Sequence, residues 1–216
     1  MYYGAIVNGN NLLDVYGLIL LADLKIEGPK VKENFIPIPG GDGSLNVSNW
    51  PQGRATYQER IITGTLFKGV PDTELEPIRA ELCNSFMGKT AGLILPDDTT
   101  HYWRGTIAFG DLDGYNSGSI PFTFRAEPWK LKVRDTEVIV PIESSPTSVT
   151  LENEAKPAVP TIRATEAVTI TWGSRTAAIA PNTWTTPSGW ILPAGSTSWS
   201  VAGSGTVTIR YKEGSL

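Results

Sequence analysis

Residues 35–67 read FIPIPGGDGSLNVSNWPQGRATYQERIITGTLF, and the predicted fold depends on this stretch. Three of the four residues at 40–43 are glycine, which predicts a sharply bent backbone because glycine adopts positive φ without steric cost. A proline-punctuated edge precedes this turn, and a short alternating piece follows it. Residues 57–63 are aromatic and β-branched and predict a strand. Nothing in the stretch is spaced for catalysis, so it indicates a shape-giving β structure.

The composition favours a mainly β protein with many turns. The 216-residue chain contains 22 Gly and 16 Pro, and a chain of this length can bury about 70% of its unfolded surface. The single cysteine, Cys83, excludes an intrachain disulfide and a Cys-rich metal site. A net charge of −4, from 18 basic and 22 acidic side chains, argues against a specific nucleic-acid surface, which is normally basic.

The first half of the chain predicts hairpins around one helix. Asn8-Gly9 is a hairpin turn signal, and the apolar residues 18–22 predict a buried strand that is far too short to span a membrane. Residues 70–88 predict the only convincing helix, with Gly88 ending it. Either Thr73 caps this helix in a capping box or Pro77 is its first residue. The apolar face of the helix is expected to consist of Leu75, Ile78, Leu82 and Phe86, with Cys83 beside them.

The remainder predicts further strands and a second domain. Residues 92–95 and 101–107 predict a hairpin closed by a turn at 96–100, and another strand lies near 120–125. The composition changes after about residue 133, and a linker-like turn follows at 144–148. Short β segments beyond that point predict a β-sandwich of roughly 70 residues. We therefore expect domains at 1–137 and 138–216.

The sequence offers little for catalysis. The only histidine, His101, lies in a predicted strand, and no G-x-S-x-G elbow is present. We therefore expect His101 to be an ordinary edge-strand side chain and the protein not to be an enzyme, although carboxylates from distant strands leave glycoside hydrolysis open. Residues 97–98 and 111–114 could hold calcium, but hairpin turns explain their aspartates better. The glycines at 40–43 lack the lysine and helix of a phosphate loop, so no cofactor or metal is expected.

Several separate motifs resemble the distal tail proteins of long non-contractile-tailed bacteriophages and prophages. They cover nearly the whole chain. They are DVYGLILL (14–21), IPGGDGSL (38–45), TGTLF (63–67), NSFMGK (84–89), GLILPDD (92–98), EPWK (127–130), NEAKPAVPTI (153–162) and GSGTVTIRY (203–211).

This resemblance implies a mainly β fold and a structural function. The N-terminal domain would be a β-sandwich-like, ring-forming belt domain with one helix, and the C-terminal domain a small galectin-like or carbohydrate-module-like β-sandwich. The family forms a homohexameric ring that joins the tail tube to the tail tip or baseplate hub. The tape-measure protein and then DNA pass through its channel, and receptor-binding parts lie nearby. The protein is expected in the virion tail, which is assembled in the bacterial host cytoplasm. No membrane partner is expected.

Ring closure requires two different complementary surfaces on each subunit, because the contact is head-to-tail. Extended hairpins suit such a contact, since a neighbour can complete a strand edge. We therefore expect one contact surface on residues 36–60, with Arg54 and Arg60 as polar anchors. The candidate contact residues are Ile38, Gly40, Asp42, Gly43, Arg54, Tyr57 and Arg60.

The tryptophans of the C-terminal half suggest an alternative function. Trp172 and Trp199 lie in predicted strands and are expected in the core. Trp184 and Trp190 flank a Pro-Ser-Gly turn and are candidates for an exposed platform that stacks on sugar rings. The alternative is therefore a monomeric carbohydrate-binding β protein.

Overall fold

The computed structural model describes residues 4–50, 53–112, 117–143 and 146–216. The chain divides into two compact units, Met1–Lys130 and Leu131–Leu216. The division falls several residues before the expected boundary at 137/138. A boundary at 137/138 would cut a strand, Thr136–Ile142, that pairs along its whole length with Gly205–Tyr211. In the described part of the chain, no helix is long and apolar enough to cross a membrane.

The first unit is built on one large sheet. Its strands are β1 (Ile6–Val7), β2 (Asn10–Asn11), β3 (Ile19–Leu20), β4 (Lys25–Ile26), β7 (Arg60–Phe67), β8 (Thr90–Leu95), β9 (Asp98–Phe109) and β10 (Ser119–Lys132), while β5 (Phe35–Pro37) and β6 (Ser44–Asn46) form a separate hairpin. The order in the sheet is β2-β1-β8-β9-β10-β7-β3, and β4 also pairs with β7. Residues of β7 alternate between buried and half-buried, as expected for a strand with one face on a core.

Most of the predicted hairpins are confirmed. Asn8 and Gly9 have φ of 51° and 83° and connect β1 to β2, as a type I′ turn requires. The β8–β9 hairpin is also present, but its turn is shorter than predicted because β9 already begins at Asp98. In the segment 18–22, Leu18 and Leu20 are buried, whereas Leu21 is exposed.

A short second helix, α1 (Leu12–Tyr16), contradicts the expectation of a single helix. The Asn11 side chain accepts a hydrogen bond from the Leu13 N–H at 3.1 Å, which caps the first turn. Gly17 ends the helix at φ 71°. Five residues are too few for a helical repeat of apolar side chains to be visible in the sequence.

The predicted long helix is α2 (Asp72–Phe86), but both predicted starts are wrong. Its N-cap is Pro71, which makes no side-chain capping bond, and Pro77 lies inside the helix. Pro77 therefore removes one backbone donor from the helix. Gly88 follows the helix at φ 72°, as predicted for its end. The predicted apolar face is confirmed: Leu75, Leu82 and Phe86 are buried, and Ile78 and Cys83 pack against the same core.

The second unit is a β-sandwich, as predicted. One sheet has the order β11-β17-β13 and the other β12-β16-β14-β15, with the strands β11 (Thr136–Ile142), β12 (Thr147–Asn153), β13 (Thr161–Ala164), β14 (Val168–Trp172), β15 (Arg175–Ile179), β16 (Gly195–Gly203) and β17 (Gly205–Tyr211). Ile209 of the first sheet and Trp199 of the second belong to one buried core. The predicted turn at 144–148 overlaps β12, and its residues 144–145 lie outside the described part of the chain.

Strand β18 (Gly214–Ser215) pairs with β10, whose last two residues belong to the second unit. The adjoining Glu213 is buried. Its carboxylate accepts hydrogen bonds from Lys132 Nζ at 2.9 Å, from the Glu154 N–H at 2.9 Å and from the Thr136 hydroxyl. Burial raises the pKa of this carboxyl group, but these donors outweigh burial and hold the pKa below its usual value.

Candidate subunit-contact surface

A hairpin arm continues outward from the edge of the first sheet. Beyond the β4–β7 pairing, the Glu27 N–H donates to Ile61 O at 3.0 Å, and the Lys32 N–H donates to Thr56 O at 2.8 Å. The β5–β6 pairing, with Ile36 opposite Leu45, forms the outer part. We call residues 27–59 the arm, of which 51–52 lie outside the described residues. Eleven residues lead from Ile26 to the end of β5, which at about 3.3 Å per residue corresponds to at most about 35 Å of extended chain.

The tip of the arm has the bent backbone that the glycines predict. Gly40 and Gly43 have φ of 71° and 78°, and both are exposed. The Gly41 N–H donates to Ile38 O at 3.2 Å and closes the turn, with Asp42 exposed beside it. A side chain with a Cβ would strain the backbone at Gly40 and Gly43.

The outer arm exposes apolar side chains to solvent. The exposed fractions are 50% for Ile36, 47% for Ile38 and 57% for Leu45. Ile36 and Leu45 are directly opposite in the ladder and therefore point to the same face, and Ile38 follows directly after β5. Phe35 is also exposed, and Trp50 is exposed to 80%. None of these five side chains belongs to either hydrophobic core.

The root of the arm, where residues 57–59 join β7 at Arg60, is packed. The Arg60 side chain is buried, its Nε donates to Glu27 O at 2.8 Å, and its guanidinium lies 4.8 Å from the centre of the Trp103 ring. Burial lowers the pKa of Arg60. Arg60 is therefore not an exposed anchor, which corrects its sequence-based assignment. Tyr57 is half-buried, and its ring centre lies 5.4 Å from that of Trp129, with the two rings nearly perpendicular.

The predicted contact residues thus divide into two groups. Ile38, Gly40, Asp42 and Gly43 lie at the exposed tip. Arg54 is exposed on the returning strand of the arm, whereas Tyr57 and Arg60 lie at the root. The four tip residues therefore lie together in one exposed turn, whereas Tyr57 and Arg60 pack at the root and hold the arm.

The sequence did not predict a groove, lined mostly by aliphatic residues, that lies beside the base of the arm. It has a volume of about 510 Å³ and is lined chiefly by Leu20, Leu21, Leu24, Ile26, Pro96 and Asp97. We call it the edge groove, because it lies along β3 and β4 at the end of the sheet. The available signal was the unbroken apolar run at 18–22, because a strand with one buried face leaves part of such a run exposed, here Leu21.

His101 lies in a strand, as predicted, but this strand, β9, lies between β8 and β10 and is not an edge strand. His101 forms part of a small polar cluster. Its Nδ1 is 3.0 Å from Asp98 Oδ2, which also accepts a hydrogen bond from Lys130 Nζ at 2.9 Å. Burial raises the pKa of Asp98, but hydrogen bonds from Thr100, Lys130 and His101 outweigh burial and lower it. Among the described residues there is no group of three His, Cys, Asp or Glu side chains that could hold a metal ion. The predicted turn at 111–114 lies partly outside these residues.

The two tryptophans of the candidate sugar platform differ in exposure. Trp190 is only 3% exposed, and its ring centre lies 5.0 Å from that of Trp199 and 5.9 Å from that of Trp172, so its assignment to an exposed platform is wrong. Trp184 is 40% exposed, with the Arg210 guanidinium 4.6 Å from its ring centre. Glu137 holds that guanidinium through two hydrogen bonds of 3.1 and 2.7 Å.

Comparisons with known proteins give a match in structure alone. No model of a known protein family matches the chain, and no curated protein matches its sequence. The crystal structure of SPP1 Dit, described as a paradigm of the hub adsorption apparatus in phages that infect Gram-positive bacteria, is similar over 100% of both chains. The TM-score is 0.67 and the sequence identity 14%. The chain therefore has the mainly β, Dit-like fold that its motifs predicted.

Proposed function

We propose that this protein is a structural hub of a bacteriophage tail that forms a homohexameric ring between the tail tube and the tail tip or baseplate. The observation that carries the proposal is the similarity to SPP1 Dit, a hub protein by its description, along the full length of both chains. A likeness over both units, rather than over one β domain, favours a common architecture over a chance similarity of sandwiches.

The arm supports self-assembly. A two-stranded hairpin is marginally stable in water by itself, and this one leaves Ile36, Ile38 and Leu45 exposed. Contiguous exposed apolar side chains mark interaction surfaces. A projecting arm also suits the head-to-tail contact that closes a ring, because the arm differs from the surface that receives it.

The further partners follow from the motif resemblance and are part of the proposal. The ring would bind the tail-tube protein on one side and the tip or baseplate hub protein on the other. Its channel would let the tape-measure protein and then DNA pass. The second unit would lie at the periphery, near receptor-binding proteins. The protein would be assembled in the bacterial cytoplasm and act in the virion tail, without an enzymatic activity of its own.

Reconstitution with the tail-tube protein of the same phage tests this function. We expect negative-stain images of the mixture to show six-fold rings attached to one end of each tube. A matched mixture with an unrelated tube protein serves as the control. Tubes whose ends remain bare at saturating concentrations of the protein would contradict a hub function.

A second candidate function, carbohydrate binding by the second unit, retains one supporting observation. Trp184 offers a partly exposed ring that a neighbouring arginine holds in place. If this ring stacks on sugars, Trp184→Ala abolishes sedimentation of the protein with purified cell-wall polysaccharide. Equal sedimentation of the variant and the parent protein would rule out this function for Trp184.

A further inference from the structure

We infer that the edge groove receives the arm tip of a second copy of this chain. The inference rests on the proposed ring and specifies where its head-to-tail contact lies. It assigns a role to the groove, which neither the motifs nor the fold similarity assigns.

The edge groove has the chemistry of a protein-binding surface. Most of its lining is aliphatic, with Leu21 and Ile26 exposed to solvent and Asp97 as its charged member. It also lies at the end of the sheet. In the described parts of the chain, β3 and β4 each pair with β7 on one side and with no strand on the other. An open strand edge beside a groove with aliphatic lining side chains suits the addition of another extended segment.

The arm tip has the complementary chemistry. Ile36 and Leu45 form an exposed aliphatic pair on a narrow, two-stranded hairpin, and Ile38 is exposed directly beyond it. The outer edges of β5 and β6 also lack strand partners among the described residues. The tip therefore presents both apolar side chains and free backbone groups, which are the two features that the groove can engage.

An arm tip that occupies the groove must come from another copy, because each arm begins at its own groove. Ile26 lines the groove and is also the last residue of β4, from which the arm extends. Leu45 lies opposite Ile36, ten residues beyond Ile26 and therefore on the order of 30 Å away in an extended ladder. A chain cannot place its own tip in its own groove while this ladder is intact.

Each copy then donates one tip and accepts one tip. Such a contact joins two different surfaces, so repeating it generates a ring when the rotation closes. The distance between tip and groove within a copy also lets each arm reach across to the body of its neighbour.

Crosslinking between two differently tagged variants tests the inference. Both variants carry Cys83→Ala, which removes the native thiol. One also carries Leu45→Cys at the tip, and the other carries Leu21→Cys at the groove; all added thiols are at exposed positions. The two are co-expressed in full length and treated with a short bis-maleimide. Ile139→Cys, at an exposed isoleucine of the second unit, replaces the tip thiol in the control.

We expect a crosslinked dimer that carries both tags for the tip and groove pair and none for the control. Ile36→Cys and Ala22→Cys provide a second pair should either first variant fail to fold. Six-fold rings in which neither pair crosslinks would overturn the inference and leave the proposed function standing. A protein that stays monomeric and does not crosslink would overturn both.

Discussion

Replacing Ile36 and Leu45 together by serine removes apolar contact from the arm tip without touching either core. Burying a whole isoleucine or leucine side chain contributes about 1.5–3 kcal/mol. These side chains are 50% and 57% exposed in the isolated chain, so a partner can still bury about half of each. The pair then contributes about 2 kcal/mol to each subunit contact, which corresponds to a Kd about 30-fold weaker in the double variant.

The isolated chain should tolerate the same change. Neither side chain belongs to a hydrophobic core, and exposed substitutions of this kind alter the free energy of unfolding by less than about 0.5 kcal/mol. Mass photometry over a dilution series measures the subunit contact, and urea denaturation measures the fold. The control is Ile139→Ser, because Ile139 is an exposed isoleucine in a strand of the second unit. Equal assembly of the double variant, the control and the parent would refute a contact through the arm tip.

Three further changes test the packing on which these interpretations depend. Trp190→Ala should lower the free energy of unfolding by about 3–5 kcal/mol because Trp190 is buried against Trp172 and Trp199. The control, Trp184→Ala, should lower it far less. Equal losses of the two variants in urea denaturation would mean that Trp190 is not a core residue. Arg60→Lys loses the hydrogen bond to Glu27 O, so amide hydrogen exchange in the arm should accelerate about tenfold or more. Mass spectrometry measures this exchange, and an unchanged rate would show that Arg60 does not hold the arm. The folded-state pKa of Glu213 is lowered, so its stabilising effect is present above its ordinary pKa of 4.5 and is lost as the pH falls through the lower folded value. The parent should therefore lose more stability than Glu213→Gln between pH 5 and acid conditions, and parallel stability curves would contradict the lowered pKa.

Local turn chemistry made much of the fold predictable from the sequence. Asn8-Gly9 and the glycines at 40–43 favour turns through local chemistry, and Asn8, Gly9, Gly40 and Gly43 adopt positive φ, so the hairpins they close could be located. Trp172 and Trp199 were likewise expected in strands, and they lie in β14 and β16. Helix α1 could not be predicted in this way, because its stability depends on one cap and on the packing of Leu12 in the core.

The contact surface was predictable only in part, because burial depends on residues distant in sequence. The sequence suggested that Arg60 is a polar anchor. In the fold its Nε donates to Glu27 O, and its guanidinium lies over the Trp103 ring of β9. Trp190 flanks a turn that suggested exposure, yet the rings of Trp172 and Trp199 cover it. The edge groove likewise combines residues of β3 and β4 with the turn after β8. Such contacts follow from topology, and no local pattern reveals them.

Native mass spectrometry of the purified full-length chain tests the assembly most directly. A single chain has a mass of 23.3 kDa. We expect one dominant species of six times that mass at micromolar concentrations, with intermediates only on dilution. A single-chain mass that persists at high concentration, even after the tail-tube and tail-tip proteins are added, would contradict assembly of this protein into a ring.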